Sequence, residues 1–167
     1  MQRTVALVCR HWAQLAVSPQ LLRSLEVQLH PAVRSALEWL VRHAVGCVEG
    51  LSISGGDDIG IIADGVAELS SAVSAAVAAC VTGGSLTSLG LQALEVDLSG
   101  LCSPPAARTL RSLHLEGLAG EGYLVNQSLH DLTALQELEL ECLFDFSQSA
   151  LAPAVRLPPS ITRLRLA

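Results

Sequence analysis

Three residues in the C-terminal half of the chain have the side-chain types that enzymes use for proton transfer. His114 and Glu116 lie two residues apart, and Glu139 follows in a segment with the same leucine spacing. A histidine next to a carboxylate can act as a general base. Catalysis would also need a nucleophile and a pocket that excludes water, and the sequence pattern supplies neither. We therefore expect a protein that is not an enzyme.

Patterns for cofactors and metals lead to the same expectation. The sequence has no Gly-x-Gly-x-x-Gly, Walker loop, His-Glu-x-x-His or Gly-x-Ser-x-Gly pattern. His43 and Cys47 are four residues apart, but Gly46 lies between them and no third ligand is visible. The Gly-Gly-Asp-Asp segment 55–58 could hold a phosphate or a cation, although a turn followed by a helix N-cap explains it more simply. We expect no cofactor and no metal.

Composition limits the classes of partner. The chain has 167 residues, enough for one domain with a sizeable core; 50% are hydrophobic and only 3% aromatic. Many small aliphatic side chains and few rings favour a layered stack over a compact globule. The net charge of −6 lacks the basic excess of nucleic-acid-binding proteins. The apolar segment 66–81 contains Glu68 and is rich in alanine and serine, so we expect a packed helix and no membrane partner.

The cysteines indicate a compartment. Five are present, an odd number, and none forms a Cys-x-x-Cys pair. This spacing favours free thiols over a disulfide framework or a zinc site. We expect an intracellular protein, cytoplasmic and/or nuclear.

A recurring Leu-x-x-Leu-x-Leu spacing is the strongest pattern in the chain. It begins at residues 22, 48, 86, 110, 135 and 161, with intervals of 26, 38, 24, 25 and 26 residues. Each occurrence predicts a short strand near residues 22–28, 48–54, 86–92, 110–116, 135–141 and 161–167. The third strand could instead begin at residue 91, but that start would leave too short an interval to the next. Four of the five intervals have the length typical of a leucine-rich repeat.

The segments between these strands are predicted to cover the convex side of the sheet, mainly as helices. We expect one helix over 31–44 and a longer one over 59–82, which accounts for the long second interval. Gly83-Gly84 predicts the end of the longer helix. Pro104-Pro105 predicts a connection that is poor in helix.

The residues between the strand leucines are the candidate protein-binding residues, because alternate side chains in a strand face opposite sides. Stacking in parallel register predicts that Glu137 neighbours Arg163, Glu139 neighbours Arg165, and His114 lies beside Glu139. Two interpretations remain open: ion pairs that support the sheet, or a recognition patch. The residues that we predict to contact a partner are Ser112, His114, Glu116, Glu137, Glu139, Glu141, Arg163 and Arg165.

The N-terminal segment 4–17 predicts a separate helix, because Val5, Val8, Trp12 and Leu15 recur at helical spacing. Ser18-Pro19 predicts its end, since proline disfavours helical geometry in the preceding residue. The first 25 residues contain three arginines and no acid, which also permits a transit-peptide interpretation.

Two stretches carry a family resemblance. Segment 128–140 resembles the Ser-Leu-x-x-Leu-x-x-Leu-x-x-Leu-x-Leu line of plant-type leucine-rich repeats, and segment 158–166 begins in the same way. Segment 8–19 resembles the C-terminal half of an F-box through Val8, Cys9, Arg10, Trp12, Leu15, Ser18 and Pro19. The chain is thus similar to F-box/leucine-rich-repeat proteins. The resemblance implies an F-box-like segment over 1–20 and, over 21–167, an α/β right-handed solenoid of about six units with its parallel sheet on the concave face.

The resemblance also implies a function. We expect a non-catalytic protein-binding module, a substrate-recognition subunit of a cullin-type ubiquitin ligase. Val8, Cys9, Trp12 and Leu15 would face a Skp-type adaptor or cap the solenoid, although no Leu-Pro opening of an F-box precedes Val8 in this sequence. The alternative is an orphan leucine-rich-repeat scaffold without adaptor binding. The strand at residues 161–167 predicts either further chain beyond it or a partner at its edge.

Overall fold

The computed structural model describes residues 22–29, 33–43, 46–55, 66–92, 101, 103–117, 129–141 and 157–166. Within these residues lie six strands and three α-helices. The strands are β1 (Ser24–Gln28), β2 (Gly50–Ser54), β3 (Ser88–Gln92), β4 (Ser112–Glu116), β5 (Glu137–Glu141) and β6 (Arg163–Leu166). The helices are α1 (Arg34–His43), α2 (Val66–Thr82) and α3 (Pro104–Thr109), and a 3₁₀ turn spans Leu129–Asp131.

The six strands form one sheet in chain order, and every neighbouring pair is parallel. Each strand lies inside a segment that the leucine spacing predicts. The register aligns equivalent leucines: Leu89 pairs with Leu51 on one side and with Leu113 on the other. This alignment agrees with a third strand that belongs to the segment 86–92. The chain is therefore an α/β protein with a six-stranded parallel sheet.

One hydrophobic core joins the sheet to the helices. The strand leucines face the same side as the buried residues Leu37 and Leu40 of α1, and Val73 and Val77 of α2. All four are at most 4% exposed. Side chains alternate between the two faces of a sheet. The strand leucines therefore pack against the helices on one face, and the residues between them lie on the other.

A row of shared hydrogen bonds runs along the edge of the sheet where the strands begin. Each carbonyl accepts from two successive backbone N–H groups of the next strand segment, at N···O distances of 2.7 to 3.0 Å. The accepting residues are Arg23, Glu49, Thr87, Arg111 and Gln136. The Thr87 and Thr162 hydroxyls donate to the same carbonyls, those of Glu49 and Gln136. The same local geometry thus returns at every strand junction.

The end of α2 agrees with the prediction from Gly83-Gly84. The N–H of Gly83 donates to the carbonyl of Ala79, and that of Gly84 donates to Val81. Gly84 has a φ of +73°, in the left-handed region that L side chains rarely adopt. Glycine therefore allows the chain to leave α2 and turn toward β3. The predicted beginning of this helix at residue 59 lies outside the described residues.

The structure corrects the prediction for the Pro104-Pro105 connection. These residues begin α3, whose Ala106 is buried in the core. Proline suits the first turn of a helix because its fixed φ is helical and because N–H groups there have no intrahelical acceptor. The sequence reasoning treated the proline pair as a helix breaker and overlooked this position.

The last strand differs from β2 to β5 in the burial of its leucines. Leu138 of β5 is 1% exposed, whereas Leu164 and Leu166 of β6 are 44% and 58% exposed. In the described residues, β6 has a neighbour on one side only. Leu164 therefore lies on an adjacent parallel strand as expected, but its side chain is not buried with the others.

Candidate functional site

The strand residues between the leucines form what we call the polar face, opposite the helices. Alternation within six parallel strands places these residues in three rows across the sheet. The first row is Ser24, Gly50, Ser88, Ser112, Glu137 and Arg163; the second is Glu26, Ser52, Gly90, His114, Glu139 and Arg165; the third is Gln28, Ser54, Gln92, Glu116 and Glu141. All eight predicted partner-contacting residues lie on this face.

The half of the polar face on β4 to β6 is an ion-pair network. Arg163 Nη1 lies 2.8 Å from Glu137 Oε1, and Arg165 Nη1 lies 2.6 Å from Glu139 Oε1. Arg165 also reaches Glu141, with 3.2 Å between Nη2 and Oε1. The two pairs between direct neighbours agree with the predicted register. The sequence reasoning missed the diagonal pair to Glu141, although diagonal neighbours on a sheet are within reach of long side chains.

His114 connects β4 to this network. Its Nδ1 lies 2.8 Å from Glu139 Oε2, and its Nε2 lies 3.5 Å from Glu116 Oε2. An ionised carboxylate only accepts hydrogen bonds, so the contact to Glu139 assigns the ring proton to Nδ1. The contact from Nε2 to Glu116 is the longer of the two. The predicted proximity of His114 and Glu139 is confirmed, and the geometry makes this histidine a link between strands.

Glu139 accepts from two strands at once. The hydrogen bond from His114 has the largest effect and, with that from Arg165, holds the pKa of Glu139 below its usual value of 4.5. Partial desolvation acts in the opposite direction and is outweighed. Glu139 is therefore the ionised centre of the network.

The half of the polar face on β1 to β3 has a different chemistry. Its centre has only small neutral residues: Ser52 and Ser88 have short side chains, and Gly50 and Gly90 have none. They lie close together laterally, since a Cβ added to Gly90 would be 3.3 Å from Ser52 Oγ. Glu26 of β1 is exposed, and no cationic side chain of the described residues forms an ion pair with it.

Several other predicted features fall outside this face. Val8, Cys9, Trp12 and Leu15 lie outside the described residues. Among the described residues, no group of three histidine, cysteine, aspartate or glutamate side chains is placed to hold a metal ion. None of the helices described is long and apolar enough to cross a membrane. The predicted site that the structure brings together is therefore the polar face.

Burial distinguishes the two cysteines within the described residues. Cys80 lies in the core, and desolvation raises the pKa of its thiol to about 11. Cys47 is half-buried, and both thiols are free. Sequence spacing indicated free thiols but could not rank their exposure.

Comparison with protein-family models, with curated proteins and with solved structures gave no match for this chain.

Proposed function

We propose that this chain is a leucine-rich-repeat solenoid that binds a protein through its polar face. The observation that carries the proposal is a continuous set of polar side chains across six parallel strands, opposite the face that packs against the helices. A broad surface of serine, glycine, glutamate and arginine residues across six strands suits contact with another macromolecule. Small ligands generally need a concave, mostly apolar pocket.

Two features support the repeat architecture. The strands follow one another at the leucine period, and each pairs only with its neighbours in the sequence. The shared carbonyl acceptor returns at five successive junctions. Identical geometry at each junction is expected where one structural unit stacks on the next.

A more specific proposal follows from the resemblance of segment 8–19 to an F-box. In it, the chain is the substrate-recognition subunit of a cullin-type ubiquitin ligase, and Val8, Cys9, Trp12 and Leu15 contact a Skp-type adaptor. The polar face would then hold the substrate. The two roles are separable, because they use different parts of the chain.

Co-precipitation with a purified Skp-type adaptor tests the ligase proposal. We expect the chain to retain the adaptor and Trp12→Ala to lose it, with Trp39→Ala as the control for removal of an indole. Failure of the native chain to bind the adaptor, alone or with any in-frame upstream sequence, would leave a scaffold without ligase function.

All ten basic residues are arginines, so the chain has no lysine to accept ubiquitin. Ubiquitin joined to lysine in a reconstituted reaction must therefore be on another protein.

A second experiment tests the polar face independently of the adaptor. Proteins captured by the native chain are compared with those captured by Ser88→Arg on β3 and by Arg165→Glu on β6. Ser71→Arg is the matched control, because Ser71 is an exposed serine on α2. A partner that both face variants retain as well as the control does would refute binding through this face.

A further inference from the structure

The polar face is not uniform, and its shape indicates where a partner segment would lie. In the first two rows on β2 and β3, Gly50, Ser52, Ser88 and Gly90 leave the backbone covered only by short side chains, and the longer Gln92 follows in the third row, next to Glu116. Longer side chains stand on both sides: Glu26 on β1, and His114 with Glu116 on β4. We call the four short residues the floor; they lie between two taller flanks.

The flanks carry negative charge that the described residues do not neutralise. The two arginines of the polar face are bound to Glu137, Glu139 and Glu141. Glu26 and Glu116 have no arginine partner within the described residues, and the contact of Glu116 to His114 is 3.5 Å long. Counted over carboxylates and guanidiniums alone, five and two leave the described part of this face at −3.

The distance between the two flanks is close to the diameter of an α-helix. Neighbouring strands are about 4.8 Å apart, so roughly 14 Å separates the backbones of β1 and β4. An α-helix with its side chains is about 10–12 Å across. A helix lying along the floor can therefore place basic side chains at both flanks.

We propose that the floor of the polar face binds a basic α-helix of a protein partner, with lysine or arginine side chains of that helix paired to Glu26 on one flank and to Glu116 on the other. This inference rests on the proposed protein-binding function and names the class of partner. Small residues at the floor allow the helix backbone to approach closely. The two carboxylates, which have no arginine partner among the described residues, orient it along the strands.

The absence of lysine from this chain makes a sharp test possible. A carbodiimide joins carboxylates to amines without a spacer, so apart from its own N-terminus the chain can be crosslinked only to amines of the probe. The probe is a blocked helical peptide of alanine and lysine. Its controls are the same peptide with glutamate in place of lysine, and the lysine peptide interrupted by prolines. We expect mass spectrometry to locate crosslinks at Glu26 and Glu116 with the helical lysine peptide.

Substitutions in the chain complete the test. Glu26→Gln and Glu116→Gln should each weaken binding of the lysine helix by about two- to fivefold, as for other exposed ion pairs. Ser52→Arg should abolish it by adding bulk and positive charge to the floor, while Ser71→Arg on α2 should not. Circular dichroism of each variant establishes that it folds.

The outcomes separate this inference from the proposed function. Crosslinks chiefly at Glu137, Glu139 and Glu141, equal binding of the proline-interrupted peptide, or no binding of the lysine helix would each overturn the basic-helix proposal. The proposed function would survive those results if a captured partner still required the polar face. A partner that binds Ser88→Arg and Arg165→Glu as well as it binds the native chain would refute both the basic-helix proposal and the proposed function.

Discussion

At the scale of single residues, Glu139 determines how the polar face responds to pH. His114 and Arg165 stabilise its ionised form, which lowers its pKa in the folded state below the usual 4.5. A depressed carboxyl pKa contributes stability that is fully present above the unfolded-state pKa and is lost as pH falls through the folded-state pKa. The contribution of Glu139 to the network is therefore expected to be lost in acid.

The first prediction concerns Glu139→Gln. The native chain should be more stable than the variant at neutral pH, and the difference in free energy of unfolding should shrink as pH falls below about 4.5. Urea unfolding at a series of pH values measures this difference. Gln92→Ala, which removes a neutral side chain from the same face, should give a difference that does not follow this pH course. A Glu139→Gln difference independent of pH would mean that His114 and Arg165 together do not favour the ionised form of Glu139 in the folded state.

The second prediction concerns thiol reactivity. Burial raises the pKa of Cys80 to about 11, so its reactive thiolate is scarce at pH 8, and its location in the core blocks reagents. Cys47 is only half-buried. Alkylation followed by peptide mass spectrometry at pH 8 should label Cys47 well before Cys80, and urea should remove the difference. Equal labelling rates in the native protein would contradict the burial of Cys80.

At the scale of secondary-structure elements, the turn after α2 depends on one glycine. Gly84 has a positive φ, and no atom lies within 4 Å of the position that a Cβ would occupy. Any loss of stability on adding that Cβ therefore comes from backbone conformation and not from a clash. Gly84→Ala should destabilise the fold by about 1–2 kcal/mol.

Gly46→Ala is the control for this third prediction. Gly46 also has open space around it, and its φ lies outside the left-handed region. Its substitution should change the free energy of unfolding by no more than about 0.5 kcal/mol. Urea unfolding of the two variants measures both values. Equal effects would contradict the account of α2 termination.

The fourth prediction compares two leucines at equivalent positions of β5 and β6. Leu138 is 1% exposed, so Leu138→Ala removes a fully packed side chain and should cost about 2–5 kcal/mol. Leu164 pairs with Leu138 across the sheet but is 44% exposed, and Leu164→Ala should cost about 1 kcal/mol or less. Urea unfolding again provides the measurement. Similar costs would show that Leu164 is buried in solution.

The extent of sequence-based prediction differs between these elements. Leucine spacing was sufficient for the strands and for the pairing of Glu139 with Arg165, because parallel strands at one period must align equivalent residues. The sequence predicted that the strand at 161–167 would have an edge to cover, but spacing alone does not give the exposure of its side chains, so the value for Leu164 comes from the structure. Composition led to the wrong prediction at Pro104-Pro105, because proline breaks a helix interior but suits a first turn. The hydrogen bonds of the Arg23-to-Gln136 row involve backbone groups, which leave no side-chain signature.

At the scale of the whole molecule, connectivity determines how stability is distributed. Each strand pairs only with its neighbours in the sequence, so a change in one strand reaches distant strands only through the strands between. The proposed repeat architecture would be held by nearest-neighbour interfaces. The leucines of β2 to β5 are at most 6% exposed, whereas those of β6 are 44% and 58% exposed. Protection against local opening should therefore be greatest in the middle of the sheet.

The fifth prediction is a gradient in amide hydrogen exchange. Mass-spectrometric exchange at neutral pH should show the slowest rates in β3 and β4 and the fastest strand rates in β6, because local opening needs less free energy where fewer leucines are buried. Leu113→Ala, in the middle of the sheet, should speed exchange in β3, β4 and β5 more than in β1. Thr82→Ala, at the exposed end of α2, is a control that should leave the order unchanged. Equal acceleration of all six strands would mean that the sheet opens as one unit and that its strands are not coupled mainly to their neighbours.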